Sequence, residues 1–453
     1  MYRQKDLEII KTNLNQIEDK AAEIFLKKFH EPNLEEMTSV YDIIKKFIRD
    51  KKRIVYGGYA QNELIKKKKK EDGFYKLIDL PDIEFYTPEP LKDMIELCDI
   101  IHEKKFKQIQ GKQGVHDGTY KIFSNFHNYG DIGYMPRNIY NNIETIEIDG
   151  LKMTHPYFIQ IDAYRVYSAL LSNNYRLSKT FYRFTSVANH YPFPEDYEYN
   201  VISYKINKKT NEIKEFIRQK IIHNSNLIVV GHYAFNYYVK KTELSKYEIV
   251  NYPYYQLISS NYDEDCKKLY KLLKNKYKDI EIKEYSPFMD FISKHMEFIY
   301  KKQVILKLYG NNQRCIPYRK SEKKLTFFGT YQMVMLYLLI DHNYALINKN
   351  IFESDNYLAM IVKFMKSRDS YLDKKNINVL DDSPFQEFTF ECIGEPVDVM
   401  RQSLIQGLQK IKQKKRPKFL YIPKDIKGKV PEYKFENISG NEIKNKKYIT
   451  KFK

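Results

Sequence analysis

Two tandem copies of a mixed α/β module, behind a helical N-terminal lead-in, are the fold class this sequence predicts, and three observations carry the prediction. The segment IVYGGYAQNELIKK from Ile54 returns as IVVGHYAFNYYVKK from Ile228, at an offset of 174 residues, with Ile, Val, Gly, Tyr, Ala, Asn and two Lys unchanged. Short β-rich runs alternate with stretches of helical period around each copy, which is the texture of a mixed sheet packed by helices. The chain has 453 residues, more than one ordinary core accommodates.

Residues 1–50 read as helix, because Leu7, Ile10, Leu14, Ile17, Ala21, Ile24 and Phe25 recur at three- and four-residue steps, as do Tyr41, Ile44 and Phe47. Pro32 and Asn33 divide it. The first module is expected over residues 51–192. RIVY is a strand leading through a glycine turn into a helix start, and KLIDLPDIEFYT holds a second strand before the helix LKDMIELCDIIHEKKF. FKQIQ, TYKIFSN, TIEIDGLKM and YFIQIDAY are read as further strands, with Asp149-Gly150 a hairpin turn and Asp131, in GDIG, a turn residue. Helix resumes through VYSALL and RLSKTFYRFTSVANH, and Pro192 and Pro194 mark a linker.

The second module is expected over residues 193–395, with strand IVV, helix DEDCKKLYKLLKNKY, strands at FIY and QVILKLY and a long apolar helix from Thr326. Residues 396–453 read as a basic helix, DVMRQSLIQGLQKIKQKK, and then a Lys-rich extended tail with Pro417, Pro423 and Pro431.

Net charge is +19, and from Arg401 onward 16 Lys or Arg face 4 Asp or Glu. Clustering of that kind attracts a polyanion by counterion release, which points to nucleic acid. The four cysteines stand far apart without a CxxC pair, which speaks against a zinc ribbon or a secreted disulfide framework and for a reducing compartment. The N-terminus lacks a signal-type apolar core, and FFGTYQMVMLYLLI is shorter than a membrane span and carries Gln332. A soluble intracellular protein without membrane attachment is expected.

Chemistry concentrates in the first copy. Gly57 and Gly58, between a strand and a helix, let backbone N–H groups approach a bulky anion with the helix N-terminus behind them. The second copy has Gly231 followed by His232. Asp82 and Glu84 alternate on a strand, so their carboxylates project from one face while Ile83 and Phe85 enter the core. Paired acids repel unless a cation lies between them. Asp162, read on the strand YFIQIDAY, is the expected third carboxylate of a two-metal arrangement. Arg176, Lys179 and Arg183 share a helix face suited to phosphates.

The order strand, Gly-Gly, helix, D-x-E strand and later Asp resembles the DNA polymerase β-like nucleotidyltransferase superfamily, on Tyr56, Gly57, Gly58, Asp82, Glu84 and Asp162. Within it, VYGGYAQNE, DIEF and IQIDAYR, with the helical lead-in and a second degenerate half, look like the poly(A) polymerase catalytic subunits of nucleocytoplasmic large DNA viruses, mimivirus-like giant viruses in particular. The gap between Gly58 and Asp82, with its KKKKK run, is longer than in most of the superfamily. The resemblance implies tandem nucleotidyltransferase-like domains, the first active. It implies template-independent addition of AMP from ATP to an mRNA 3′ end, using two Mg²⁺ or Mn²⁺ ions. Asp82, Glu84 and Asp162 would be catalytic and metal-binding, with Gly57, Gly58, Lys179 and Arg183 on the nucleotide. A virion and host cytoplasmic (viral factory) location and a cap methyltransferase partner go with it, and we expect a homodimer through the Tyr- and Phe-rich second module.

Counting 174 onward from Asp82 and Glu84 gives Gln256 and Ile258, and VILKLY offers Lys307 in place of an acid, so the second copy is expected to be catalytically dead. A terminal uridylyl or CCA-adding enzyme, and a non-catalytic RNA platform, are the alternatives.

Overall fold

The computed structural model describes residues 2–76, 79–116, 118–195, 201–242, 249–311, 315–321, 325–396, 398–413, 418–423, 440 and 442–444. Most of the Lys-rich tail lies outside them. Two compact units emerge. Unit 1 comprises Met1–Tyr134, Thr145–Thr154 and Ile405–Phe435, and unit 2 comprises Met135–Glu144, His155–Leu404 and Glu436–Lys453.

Unit 1 is built on strands β1 (Ile54–Tyr56), β2 (Ile83–Thr87), β3 (Gln110–Gln113), β4 (Thr119–Ser124), β5 (His127–Tyr134), β6 (Thr145–Ile148) and β7 (Leu151–Thr154). With a short strand at Leu420–Tyr421 they form one sheet in the order Leu420–Tyr421, β3, β4, β5, β2, β1, β7, β6. The β2/β5 and β1/β7 neighbours are parallel and the rest antiparallel, which makes the sheet mixed.

One face of this sheet is core. Val55, Ile83, Phe85, Ile122 and Ile132 are fully buried, together with Met94, Leu97 and Ile101 of the helix Pro90–Glu103. The helix Leu34–Asp50 buries Val40, Tyr41, Ile44 and Ile48 at helical spacing, and Asn33 caps it by accepting the Glu36 N–H at 2.9 Å. Arg53 pairs with the buried Asp93 at 2.7 Å, tying the start of β1 to the helix Pro90–Glu103. The β6–β7 turn is the expected hairpin: Asp149 and Gly150 both have positive φ, +50° and +74°. By contrast, the apolar stripe of the helix Gln4–Lys28 is not core, since none of its residues is buried.

Unit 2 carries β8 (Ile228–Val230), β9 (Tyr255–Ser259), β10 (Ile280–Tyr285), β11 (His295–Tyr300), β12 (Gln303–Gly310), β13 (Ile316–Lys320), β14 (Phe327–Gly329) and β15 (Cys392–Ile393). Their order, β10-β11-β12-β9-β8-β14-β13-β15, reproduces that of unit 1 strand for strand from β3 to β6. The parallel pairs β9/β12 and β8/β14 also fall in the same places. The duplication seen in one short motif is therefore a duplication of a whole sheet. The apolar helix from Thr326 begins at Tyr331 and runs to Ile347, with Thr330 as its cap. It is hydrophobic on all sides because it is buried on all sides, within unit 2. Among the described residues no helix is long and apolar enough to cross a membrane.

Three expectations are corrected. YFIQIDAY is helix: Pro156–Tyr167, with Pro156 in its first turn and His155 as the cap. Short apolar runs do not distinguish strand from helix by period, and Pro after a capping residue is a helix-start signal. GDIG is strand, the middle of β5, and its glycine serves close packing: a Cβ on Gly130 would lie 2.8 Å from the Ile83 carbonyl oxygen. Finally, Cys315 and Cys392 form a disulfide that joins β13 to β15, while Cys98 and Cys266 are free and buried.

Candidate active site

The site forms where β1 ends. Tyr56 lies opposite Glu84 of β2, and Glu84 lies opposite Asp131 in the middle of β5, so three strands bring these residues into register. Gly57 then turns the chain with φ +70°. A Cβ there would stand 1.6 Å from Glu84 Oε2, so glycine is required twice, for the left-handed backbone and for the carboxylate beside it. The Gly58 N–H donates to that same oxygen at 2.9 Å.

Ile83 and Phe85 alternate into the core, which leaves Glu84 on the opposite face with Asp82 just before the strand. The Tyr41 hydroxyl donates to the Leu80 and Pro81 carbonyls and fixes the approach to Asp82. Burial, and secondarily the Asp82 charge, holds that phenol above its ordinary pKa, so it remains a donor. Asn128 bridges the acids, its amide reaching Asp131 at 3.2 Å and Asp82 at 3.5 Å. Lys121, across from Asp131 on β4, donates to it at 2.7 Å.

Among the described residues no three His, Cys, Asp or Glu side chains are gathered closely enough to hold an ion as they stand. Each carboxylate is instead held by a protein donor: Glu84 by Gly58, Asp131 by Lys121, and Asp82 by Asn128. The donor set itself, three carboxylates on one sheet face, is of the hard-oxygen kind that suits Mg²⁺ or Mn²⁺. It fits such ions once those amide and ammonium donors yield.

Of the expected site residues, Gly57, Gly58, Asp82 and Glu84 meet in unit 1. Asp162 does not join them there. It lies on the unit 2 helix Pro156–Tyr167, exposed, and paired with Arg165 at 2.6 Å one helical turn on. Lys179 and Arg183 share the unit 2 helix Leu177–His190. Asp131, which the sequence suggests as a turn residue, stands on β5 opposite Glu84. Its signal was an acid between two apolar-flanked glycines, which reads equally well as a turn. The Lys-rich gap before Asp82 is taken up locally: Lys66 pairs with Glu63 at 2.9 Å, Lys67 donates to the Glu147 carbonyl at 3.0 Å, and a 3₁₀ turn follows at Lys70–Asp72.

Comparison with known proteins shows the family. Residues 42–173 match the family model "Poly(A) polymerase catalytic subunit", and residues 186–453 match "APMV, Putative poly(A) polymerase, catalytic subunit, C-terminal". A putative poly(A) polymerase catalytic subunit of Acanthamoeba polyphaga mimivirus is 33% identical over 99% of this chain and 84% of its own length. The chain belongs to the family of viral poly(A) polymerase catalytic subunits. The crystal structure of the Megavirus polyadenylate synthase is 33% identical, with a TM-score of 0.92 over 98% of this chain and 93% of that one. An African swine fever virus relative of the same description is 29% identical over 36% of this chain and 35% of its own length. Family membership makes the chain a polynucleotide adenylyltransferase with a nucleotidyltransferase-like fold.

The second copy shows how a polymerase sheet of this family looks without the acids. Gly231 also has positive φ, +63°, and a Cβ there would meet Gln256 Oε1 at 1.8 Å. Val230 lies opposite Gln256 as Tyr56 lies opposite Glu84. The counterpart of Glu84 is therefore Gln256, not Ile258, and that of Asp82 is Tyr254; the constant offset slips because the two intervening segments differ in length. Lys307 lies opposite Gln256 where Asp131 lies opposite Glu84. Gln256 donates to Asp341 at 2.9 Å, and Lys307 pairs with Glu297 at 3.1 Å, its ammonium 4.7 Å from the Tyr254 ring centre. Burial lifts the Asp341 carboxyl to about 6, against the pull of Lys307 and Gln256. His232 fills the place of Gly58 and is kept neutral, its pKa lowered to about 3 chiefly by burial.

Proposed function

We propose that unit 1 transfers AMP from ATP to the 3′-hydroxyl of RNA at Asp82, Glu84 and Asp131, with Gly57 and Gly58 on the triphosphate, and that unit 2 is a non-catalytic copy. One observation carries this reading: Glu84 opposite Asp131 on parallel strands, beside the left-handed Gly57. Asp131 takes the role that the sequence assigns to Asp162. Mg²⁺ or Mn²⁺ held by these three carboxylates would supply Lewis-acid chemistry, lowering the pKa of the hydroxyl and neutralising phosphate charge.

Within that frame the residues have separate tasks. Gly57 and Gly58 present backbone N–H groups to phosphate oxygens at the start of the helix Gly57–Lys68. The Gly58 N–H now donates to Glu84, so nucleotide entry exchanges one anionic acceptor for another. Asp131 draws the attacking hydroxyl to the sheet, and Lys121 moderates its charge when the site is empty of substrate. The hydroxyl attacks the α-phosphate in line and pyrophosphate leaves. Lys179 and Arg183 are assigned to phosphates on charge alone.

Purified protein, an RNA primer, Mg²⁺ or Mn²⁺ and each NTP in turn test the reading. Extension with ATP and its loss in Asp82→Ala, with unchanged thermal melting, are expected. Preference for UTP would favour the uridylyl alternative, and no extension with any NTP would favour the RNA platform. The proposed homodimer is checked by light scattering, and the cap methyltransferase partner by co-purification from infected cells.

A further inference from the structure

The carboxylate face of the unit 1 sheet also carries two stacked tyrosines. The rings of Tyr56 and Tyr86 lie 3.7 Å apart, 11° from parallel. Tyr56 is the residue opposite Glu84, and Tyr86 follows Glu84 by two positions on β2, so both point to the face that bears the acids. The two rings are half-buried, not sealed into the core.

The neighbouring strand is shaped to receive them. Gly133 lies opposite Tyr86 as Asp131 lies opposite Glu84. A Cβ at Gly133 would come within 3.0 Å of the Tyr56 hydroxyl and 3.1 Å of the Tyr86 ring, tighter than an ordinary contact. With glycine there, the Tyr56 hydroxyl and the edge of the Tyr86 ring come close to β5, about 7 Å along the strand from Asp131.

Unit 2 provides an internal comparison. Ile54 and Val55 of β1 recur as Ile228 and Val229, as pure core residues should. Tyr56 and Tyr86 do not recur: Val230 and Ile258 take their places, and Tyr309 takes that of Gly133. All three replacements are buried. The aromatic pair has thus disappeared together with the acids, whereas the scaffold beside it has persisted.

We propose that Tyr56 and Tyr86 form a shelf on which the base of the RNA's 3′-terminal nucleotide stacks, setting its hydroxyl at Asp131. The proposal rests on the assignment of Asp131 made above. It takes the RNA end and not ATP, because Gly133 lies on Asp131's own strand, while the triphosphate loop leaves the other end of the site at Gly57. Stacking on a π-face is tolerant of base identity, which suits an enzyme that must start on any 3′ end and continue on adenosine. Tyr56 and Tyr86 act as positioning residues.

Fluorescence anisotropy of 5′-labelled RNA with the full chain and Mg²⁺, without ATP, tests the shelf. One RNA carries an ordinary 3′-terminal nucleotide and the other an abasic one. Wild type is expected to bind the ordinary RNA about tenfold more tightly. Tyr86→Leu should bind both alike, at the abasic level, and Tyr86→Phe should restore discrimination. In extension assays Tyr86→Leu should raise KM for RNA about tenfold and leave KM for ATP unchanged. Equal discrimination in wild type and Tyr86→Leu, or none in wild type, overturns the proposal. A rise in KM for ATP with RNA discrimination intact overturns it in favour of ATP's adenine. Asp131→Asn should keep discrimination while losing extension, so failure of the Asp131 assignment and failure of the shelf are separate results. Should Tyr86→Leu not fold, Tyr56→Leu and the wild-type comparison decide the matter.

Discussion

Asp131 and Lys307 occupy the same place in two copies of one sheet, each on the strand that runs parallel beside Glu84 or its counterpart Gln256. Each is ion-paired to the antiparallel strand on its other side, Asp131 to Lys121 and Lys307 to Glu297. The pair is the same with its signs reversed. Reversal turns a face that attracts a cation into one that carries its own.

Asp131→Asn is expected to reduce ATP-dependent RNA extension roughly a thousandfold, the loss of about 4 kcal/mol of transition-state stabilisation. Asp162→Asn should stay within about threefold of wild type, since it removes an exposed carboxylate whose ion pair with Arg165 contributes at most about 1 kcal/mol. Primer extension on both variants, with melting curves as controls, checks the assignment. A thousandfold loss in Asp162→Asn with an active Asp131→Asn would reverse it.

Gly57→Ala forces a Cβ into left-handed backbone and onto the Glu84 carboxylate. We expect extension to be lost and stability to fall by at least about 1–2 kcal/mol. Gly231→Ala meets the same obstruction at Gln256. Denaturant midpoints should show a comparable fall for both variants.

Removing the ammonium in Lys307→Met strands Glu297 and Asp341 in the interior of unit 2. A destabilisation of about 3–5 kcal/mol is expected. Glu297→Gln added to Lys307→Met should recover part of it, read by denaturant titration of the single and double variants.

Asp341 sets a pH dependence for the same unit. Burial holds its carboxyl at about 6 in the fold against an ordinary 3.8, so the fold binds its proton more tightly than the unfolded chain does. Stability from this group is greatest at low pH and declines as pH rises from about 4 to about 6. Lys307 and Gln256 oppose the shift and Glu353 adds to it. Asp341→Asn should flatten the melting-temperature profile across that window; an unchanged profile would count against a buried Asp341.

The Cys315–Cys392 disulfide closes a separation of 77 residues and holds β15 against β13. Reduction should cost unit 2 about 2–4 kcal/mol. Dithiothreitol is expected to lower the melting temperature of wild type and to have no such effect on Cys392→Ser.

Much of the site was legible because it is local. Strand, Gly57-Gly58, helix and D-x-E are short patterns in which neighbouring residues dictate one another's geometry, and the structure sets Gly57 and Gly58 against Glu84, with Asp82 two residues before it. The place of Asp131 beside Glu84 was not legible. Asp131 looked like a turn because glycines flank it, and Asp162 looked like a strand residue because period 2 and period 3.6 coincide over so short a run. Cys315 and Cys392 gave no spacing cue either, since they meet only when β15 returns to the sheet.

Local pattern alone shows that a module is duplicated, that its first copy keeps the glycines and paired acids, and that its second lacks them. Strand pairing is what places Asp131 beside Glu84, puts Gln256 and Lys307 at the matching positions of the second copy, and sets Tyr56 and Tyr86 on the same face. The reason is physical. Parallel pairing of β2 with β5 and of β9 with β12 joins residues far apart in the chain, and register between such strands is set by packing of the whole sheet, not by local pattern.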